Sequence, residues 1–177
     1  MKIGVISDTH GYVDPQLAEV LAGVDAILHA GDVAGPEILH QLAAIAPVKA
    51  VRGNVDRGEL GAGLEESLLL RLGSLRALLV HDLGTPARPH APLAARIARE
   101  GVRLVVHGHS HLPAVELRGG VLFVNPGSAG PRRFRLPRSA GRMEVDGGRV
   151  RVELLDLEAG GAPLARPVEH ELGADAT

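Results

Sequence analysis

A short apolar run ends abruptly in an acid and a histidine two residues apart: Lys2-Ile3-Gly4-Val5-Ile6-Ser7-Asp8-Thr9-His10-Gly11. A run this short, rich in Ile and Val and closed by Gly, reads as a buried strand. Asp8 and His10 then fall just past its carboxyl end, where open α/β sheets place their ligands. Two residues apart, they can turn the same way and chelate one ion. Taken alone, the fragment reads more simply as a capping Asp and a surface His. What changes that reading is repetition along the chain.

Ala26 to Ala30 ends in Gly31-Asp32, and Val48 to Val51 ends in Gly53-Asn54-Val55-Asp56. Leu75 to Val80 ends in His81-Asp82, and Val102 to Val106 ends in His107-Gly108-His109-Ser110-His111. Packing alone gives no reason to set Asp8, His10, Asp32, Asn54, His81, His109 and His111 at successive strand ends. The chain has no cysteine, so a metal here takes only N and O donors. Those donors suit manganese, iron, cobalt, nickel or zinc. The seven residues are too many for one tetrahedral ion, and two ions fit them better. If Asp32 bridges, each ion takes four protein ligands and keeps open positions for water and substrate.

The connections predict a β-α-β-α-β start with right-handed crossovers. Asp14-Pro15 opens a first helix whose Leu17, Val20 and Leu21 share a face, with Gly23 at its close. A second helix runs from Pro36, with Ile38, Leu39, Leu42 and Ile45 on one side and Pro47 as its stop. Leu60 to Leu64 is Gly-rich and reads as a loop. Glu66 to Leu72 and Leu75 to Val80 form a hairpin through Gly73-Ser74, a type II′ signal. A third helix covers roughly Leu93 to Glu100. Hairpins follow through Arg118-Gly119-Gly120 and Asp146-Gly147-Gly148, with a basic surface loop from Pro131 to Arg138 between them. Residues 1–158 make one domain on this reading, and 159–177 a loose tail.

Apolar residues make up 45% of the 177, enough for one sizeable core. A net charge of −2 with no like-charge block gives no support to stable nucleic-acid binding or an anionic membrane partner. No signal peptide or membrane span is read at Met1-Lys2, so a cytoplasmic location is expected. No G-x-G-x-x-G follows a strand, and no His-Glu-x-x-His is present, which removes support for a dinucleotide fold or an amide-cleaving zinc enzyme.

The ordered blocks D-x-H, G-D, G-N, H and G-H-x-H resemble the calcineurin-like metallophosphoesterases. The opening decapeptide, Gly53-Asn54-Val55-Asp56 and Asn125-Pro126-Gly127-Ser128 resemble the small bacterial and archaeal phosphodiesterase branch (YfcE-like). The resemblance covers about residues 1 to 155. It implies an α/β fold: a four-layer α-β-β-α sandwich of two mixed β-sheets with helices outside. It implies a binuclear metal centre, with Asp8, His10, Asp32 and His111 on one ion and Asp32, Asn54, His81 and His109 on the other. Manganese is the first expectation for both ions, with nickel, iron, cobalt or zinc as substitutes.

The implied function is a metal-dependent phosphodiesterase, in which a hydroxide bridging the two ions attacks a small phosphodiester or nucleotide-like substrate. Two divalent ions, two carboxylates and one hydroxide leave a net charge near +1, which suits a diester monoanion and its more negative transition state. A phosphomonoesterase or nucleotidase with the same site is the alternative. So is a non-catalytic scaffold like the retromer subunit of this fold, although every ligand position here holds a competent donor. The resemblance also suggests a homo-oligomer.

Two positions depart from the pattern. Many family members have His after the metal-binding Asn, and here Val55 stands there. The branch commonly has Gly-His after the counterpart of His81, and here Asp82-Leu83 follows. Asp82 either orients a ligand imidazole or adds a carboxylate that weakens anion binding. His29 and His107 read as strand residues, His40 as helical, His90 as a loop residue and His170 as part of the tail. Asn125 reads as a support behind the ligands, and Arg132 and Arg133 as candidates to reach a phosphate. Only Tyr12, Phe123 and Phe134 are aromatic, so base stacking has few candidates.

Overall fold

Along β1 (Lys2–Ile6), Ile3 and Val5 face one way while Gly4 and Ile6 face the other. The same alternation runs through every central strand, and it divides the apolar residues among three layers. The fold is taken from a computed structural model that describes residues 1–133 and 135–173.

The elements follow in chain order after β1. They are α1 (Leu17–Val20), β2 (Ala26–His29), α2 (Pro36–Ala43), β3 (Val48–Ala50) and α3 (Gly58–Gly63). Then come β4 (Ser67–Leu72), β5 (Leu75–Val80), β6 (Gly84–Thr85), β7 (Arg88–Pro89), α4 (Ala91–Arg99) and β8 (Leu104–Val106). The last are β9 (Ala114–Arg118), β10 (Val121–Asn125), β11 (Ser139–Asp146), β12 (Arg149–Asp156), β13 (Ala162–Pro163) and β14 (Val168–Glu171).

One sheet has the order β13-β12-β11-β1-β2-β3, with β14 also paired to β12. Within it β1, β2 and β3 are parallel, and β11 joins β1 antiparallel. The second sheet has the order β4-β5-β8-β10-β9, with β5, β8 and β10 parallel and antiparallel edges. Ile3, Val5, Leu28, Leu79, Leu104, Val106, Leu122 and Val124 meet between the sheets. Leu17 of α1, Leu21 just beyond it, and Ile38 and Leu42 of α2 cover the outer face of the first sheet, over Ile6 and Ile27. Ile97 of α4 covers Leu78, Val80, Val105 and Phe123 on the outer face of the second. The result is the four-layer α-β-β-α sandwich with two mixed sheets. Each fully buried aliphatic side chain contributes roughly 1.5–3 kcal/mol, and the inter-sheet layer forms the largest of the three buried clusters.

Local departures have tertiary causes. The segment read as a loop at Leu60 to Leu64 is the helix α3, despite Gly58, Gly61 and Gly63. Gly61 lies so near the Asp56 carbonyl that a Cβ would overlap it, and Arg52 donates to the Gly61 carbonyl at 3.3 Å. Packing overrides a poor helix propensity there. The first helix is shorter than expected, because Asp14 caps a turn before it: its carboxylate accepts the Gln16 N–H at 2.8 Å. The stretch read as a loose tail from Ala159 is not loose over its described part. β13 and β14 both pair antiparallel with β12, and Leu172 is buried in the inter-sheet layer. Its alternation was too short and too polar to register in the sequence. Residues 174–177 of that expectation lie outside the described residues. The Gly73-Ser74 hairpin forms as predicted, with Gly73 at φ +61°.

Candidate metal centre

Six parallel strands, three from each sheet, end on the same side. Asp8 and His10 follow β1, Asp32 follows β2, Asn54 follows β3, His81 follows β5, and His109 and His111 follow β8. The structure brings all the candidate ligands together at this seam. Backbone bonds lace the loops: Asp8 N–H donates to Gly31 O at 2.9 Å, His10 N–H to Asp32 O at 2.9 Å, and Gly108 N–H to His81 O at 3.0 Å.

Among the described residues, the non-glycine positions with positive φ are Asp8, His10, Asp32, Ala34, His109 and His111. All but Ala34 are candidate ligands. Left-handed backbone costs a non-glycine residue about 1 kcal/mol or more, and Asp and His tolerate it better than most. The concentration of that strain in one place is a structural mark of a functional site. Two glycines permit the close approach. A Cβ at Gly53 would overlap the Asp32 carboxylate and backbone nitrogen, and one at Gly108 would overlap Ser7 Oγ.

The donor atoms converge in two groups. His111 Nε2 lies 3.2 Å from Asp8 Oδ1, and His10 Nε2 lies 3.3 Å from His111 Nε2. On the other side His81 Nε2 lies 3.0 Å from Asn54 Oδ1, and His109 Nδ1 lies 3.2 Å from the same oxygen. Asp32 spans both: Oδ2 is 3.8 Å from His10 Nε2 and Oδ1 is 3.4 Å from His81 Nε2. Donors about 2.1 Å from a shared ion sit roughly 3.0–3.4 Å from one another, so the spacing fits.

Further observations support a cation. Asp8, His10 and His111 form one set of donors within 4.8 Å of each other, and Asp8, Asp32 and His81 form another. Asp8 is 0% exposed and Asp32 3%, and the ion pairs of both carboxylates among the described residues are to imidazoles alone. Two buried carboxylates this near need positive charge between them. Asp8 Oδ1 is buried without a hydrogen bond, although His111 Nε2 is close. The buried His81 keeps Nδ1 on the Ala30 carbonyl at 2.7 Å. That bond fixes the tautomer and leaves Nε2 with a free lone pair.

Charge states follow the same pattern. Burial opposes ionisation of Asp8, but its contacts with His111 and Ser7 and the field of His81 outweigh it, and its pKa is lowered. Burial lowers the pKa of His10, and the Arg133 guanidinium acts in the same direction. A neutral imidazole beside an ionised carboxylate is the ligating form of both groups.

Behind the ligands, Asn125 donates to Gly108 O at 2.9 Å and Ser110 Oγ at 3.0 Å, and accepts from Gly127 N–H at 2.9 Å. It therefore holds the His109–His111 loop, as its sequence position suggested. Other braces were not foreseen. Asp56 accepts from Ala34 N–H at 2.7 Å and Gly53 N–H at 2.8 Å, tying the Asp32 and Asn54 loops together. His29 accepts from Gly31 N–H at 3.2 Å through Nδ1 and meets Thr9 Oγ1 at 2.9 Å through Nε2. A carboxylate two residues past Asn54 was the available signal for Asp56. Nothing local marked His29.

Arg132 is held by Glu158 at 3.6 Å, whereas Arg133 has no ion pair among the described residues. Tyr12 packs under the Arg138 guanidinium, 5.1 Å from ring centroid to carbon, and Phe123 is buried. Phe134 lies outside the described residues. A cleft of about 350 Å³ adjoins Asn54, His81 and Asp82, with Arg52 and Leu93 on its walls. No helix among the described residues is long and apolar enough to cross a membrane.

The model of the calcineurin-like phosphoesterase superfamily domain matches residues 1–148. The chain belongs to that superfamily. Metallophosphoesterase chemistry and divalent-metal binding are the properties of the family. A relative from Methanothermobacter thermautotrophicus, named a probable metallophosphoesterase, is 33% identical over 171 residues, covering 94% of this chain and 96% of its own. The solved structure of the phosphoesterase YfcE from E. coli is 25% identical with a TM-score of 0.72, covering 98% of this chain and 100% of that one. Vps29 from Chaetomium thermophilum shares the fold at 21% identity and a TM-score of 0.81, covering 100% of this chain and 98% of that one. The YfcE-like resemblance of the sequence is thus matched in three dimensions.

Proposed function

We propose that this metallophosphoesterase is a two-metal phosphodiesterase acting on a small phosphodiester or nucleotide-like ester. The observation that carries the proposal is Asp32, whose two carboxylate oxygens face the two donor groups, one each. Asp8, His10, Asp32 and His111 hold one ion, and Asp32, Asn54, His81 and His109 the other. When bound, two divalent ions activate water for attack and clamp the phosphoryl oxygens. Manganese is the first candidate.

The chain's own residues set the rest. Asp8, locked through Oδ2 to the His109 N–H at 3.1 Å, keeps the two donor groups at fixed separation. The cleft beside Asn54 and His81 offers room for one ester substituent of a diester. Val55 gives its backbone N–H to Asp32 Oδ1 at 3.0 Å, and its side chain has no proton for a leaving group. Departure without that proton favours esters whose alcohol is already acidic.

The test compares a diester with a monoester of the same leaving group, at saturating manganese and then with other metals. Faster diester turnover supports the proposal. Faster monoester turnover favours the nucleotidase alternative. Two bound ions without turnover of either ester favours the non-catalytic scaffold.

A further inference from the structure

His109 turns its two ring nitrogens in opposite directions. Nδ1 meets Asn54 Oδ1 at 3.2 Å, inside the second donor group. Nε2 looks outward, where Asp82 Oδ2 is 3.9 Å away, within about 1 Å of hydrogen-bond length. The side chain of His109 is 49% exposed, whereas those of His81 and His10 are 4% and 8% exposed. Packing therefore holds His109 least. His81 has the Ala30 carbonyl behind it, and Asp82 is the acceptor that faces the outer nitrogen of His109.

Asp82 is itself fixed. Its Oδ1 accepts from Gly84 N–H at 2.9 Å and meets His90 Nε2 at 3.2 Å. The small hairpin of β6 and β7 pairs Gly84 with Pro89, and His90 N–H donates to Leu83 O at 3.0 Å. That turn carries His90 back beside Asp82 at the start of α4, where the Leu93 and Ala94 N–H groups both reach the His90 carbonyl at 2.9 Å. His90, read from the sequence as a loop residue, thus stands in an ordered series: His90, Asp82, His109 and the second donor group.

We propose that Asp82, braced by His90, is a positioning residue for His109 and sets the affinity of the second ion. The inference rests on the metal-centre reading and is independent of which ester is cleaved. With Nδ1 as the metal-facing nitrogen, Nε2 carries the proton, and a carboxylate accepting it fixes the tautomer and ring plane and raises the basicity of the ligand. Losing such a partner typically weakens metal affinity about 10–100-fold. Among the described residues, the other donor group, around His10 and His111, has no contact with Asp82 and is left intact.

Calorimetric titration of the metal-free full chain with cobalt, followed in parallel by the cobalt absorption spectrum, tests this. Wild type takes up two ions. Asp82→Ala weakens one step about 10–100-fold and leaves the other step unchanged. Asp82→Glu recovers part of the loss, and His90→Ala gives a smaller loss in the same step. In the zinc-loaded protein, the Nε2–H resonance of His109 moves in Asp82→Ala while the Nδ1–H resonance of His81, held on the Ala30 carbonyl, does not. Wild-type affinity in both steps of Asp82→Ala overturns the proposal. Equal weakening of both steps with a lowered metal-free Tm also overturns it, because the role is then only structural. A wild-type chain that takes up no second ion overturns the metal-centre reading and the positioning role with it.

Discussion

The backbone N–H of His109 donates to Asp8 Oδ2 at 3.1 Å, across 101 residues of sequence. That single bond ties the end of β8 in one sheet to the end of β1 in the other. Asp8 Oδ1, on the same carboxylate, is buried with no hydrogen bond. The seam between the sheets is thus closed at one oxygen and open at the other, where His10 and His111 converge.

Metal binding across this seam should stabilise the whole fold, since the ligands come from both sheets. At a free metal concentration about 100 times Kd the gain is about 2.7 kcal/mol per site. For a chain of this size that corresponds to a rise in Tm of about 5–10 °C. Differential scanning calorimetry with manganese and with excess chelator measures it. Identical Tm values under the two conditions would count against metal held between the sheets.

Asp32→Asn should cost more activity than Asn54→Ala. Asp32 faces both donor groups and supplies a negative charge, while Asn54 is neutral and faces His81 and His109 only. Turnover at saturating metal is the measurement. Equal losses would argue against Asp32 as the shared ligand.

Val55 leads to a steep dependence of rate on leaving-group pKa. A positioned general acid typically contributes about 10²–10⁴-fold, and valine has none to give. Aryl phosphodiesters of graded phenol pKa, with one metal throughout, should fall along a steep line. Val55→His should flatten it if the imidazole reaches the leaving oxygen. A flat wild-type line, with chemistry rate-limiting, would mean that another group protonates the alcohol.

His29 gives the fold an acid sensitivity. Its burial drives its pKa from 6.5 down to about 4, so the folded state holds the ring neutral where the unfolded chain protonates it. The contribution is complete above pH 6.5 and is lost as pH falls through 4, up to about 3 kcal/mol. His107 is displaced to about 4 in the same way, also by burial. Urea unfolding of chelator-treated protein at pH 7 and pH 5 should show a smaller loss in His29→Gln than in wild type. A remaining loss from His107 is expected. Parallel losses in the two proteins would contradict the assignment to His29.

The convergence of the candidate residues was legible because each sits at an abrupt change from an apolar run to a polar residue, and strand ends are where such changes must fall. The sandwich was legible from the resemblance, and its layering from alternation: Ile3, Val5, Leu104 and Val106 face the inter-sheet layer as a period of two requires. The helix α3 and the strands β13 and β14 were not legible. Three glycines argue against a helix, and two-residue and four-residue strands carry too little pattern to stand above background.

The sequence by itself determined which residue types stand at the ends of the strands, and hence that only N and O donors would be on offer there. It also determined that position 55 would have no acid. Tertiary structure alone decided how those ends are joined and braced. Asp56 between two loops, His29 under Thr9, and Asp82 with His90 behind His109 are all contacts whose partners are set by how two sheets meet and where a hairpin returns. A short polar side chain carries no periodic signal of its own. Its role depends on which donor or acceptor the packed core brings within about 3 Å, and local sequence does not encode that distance.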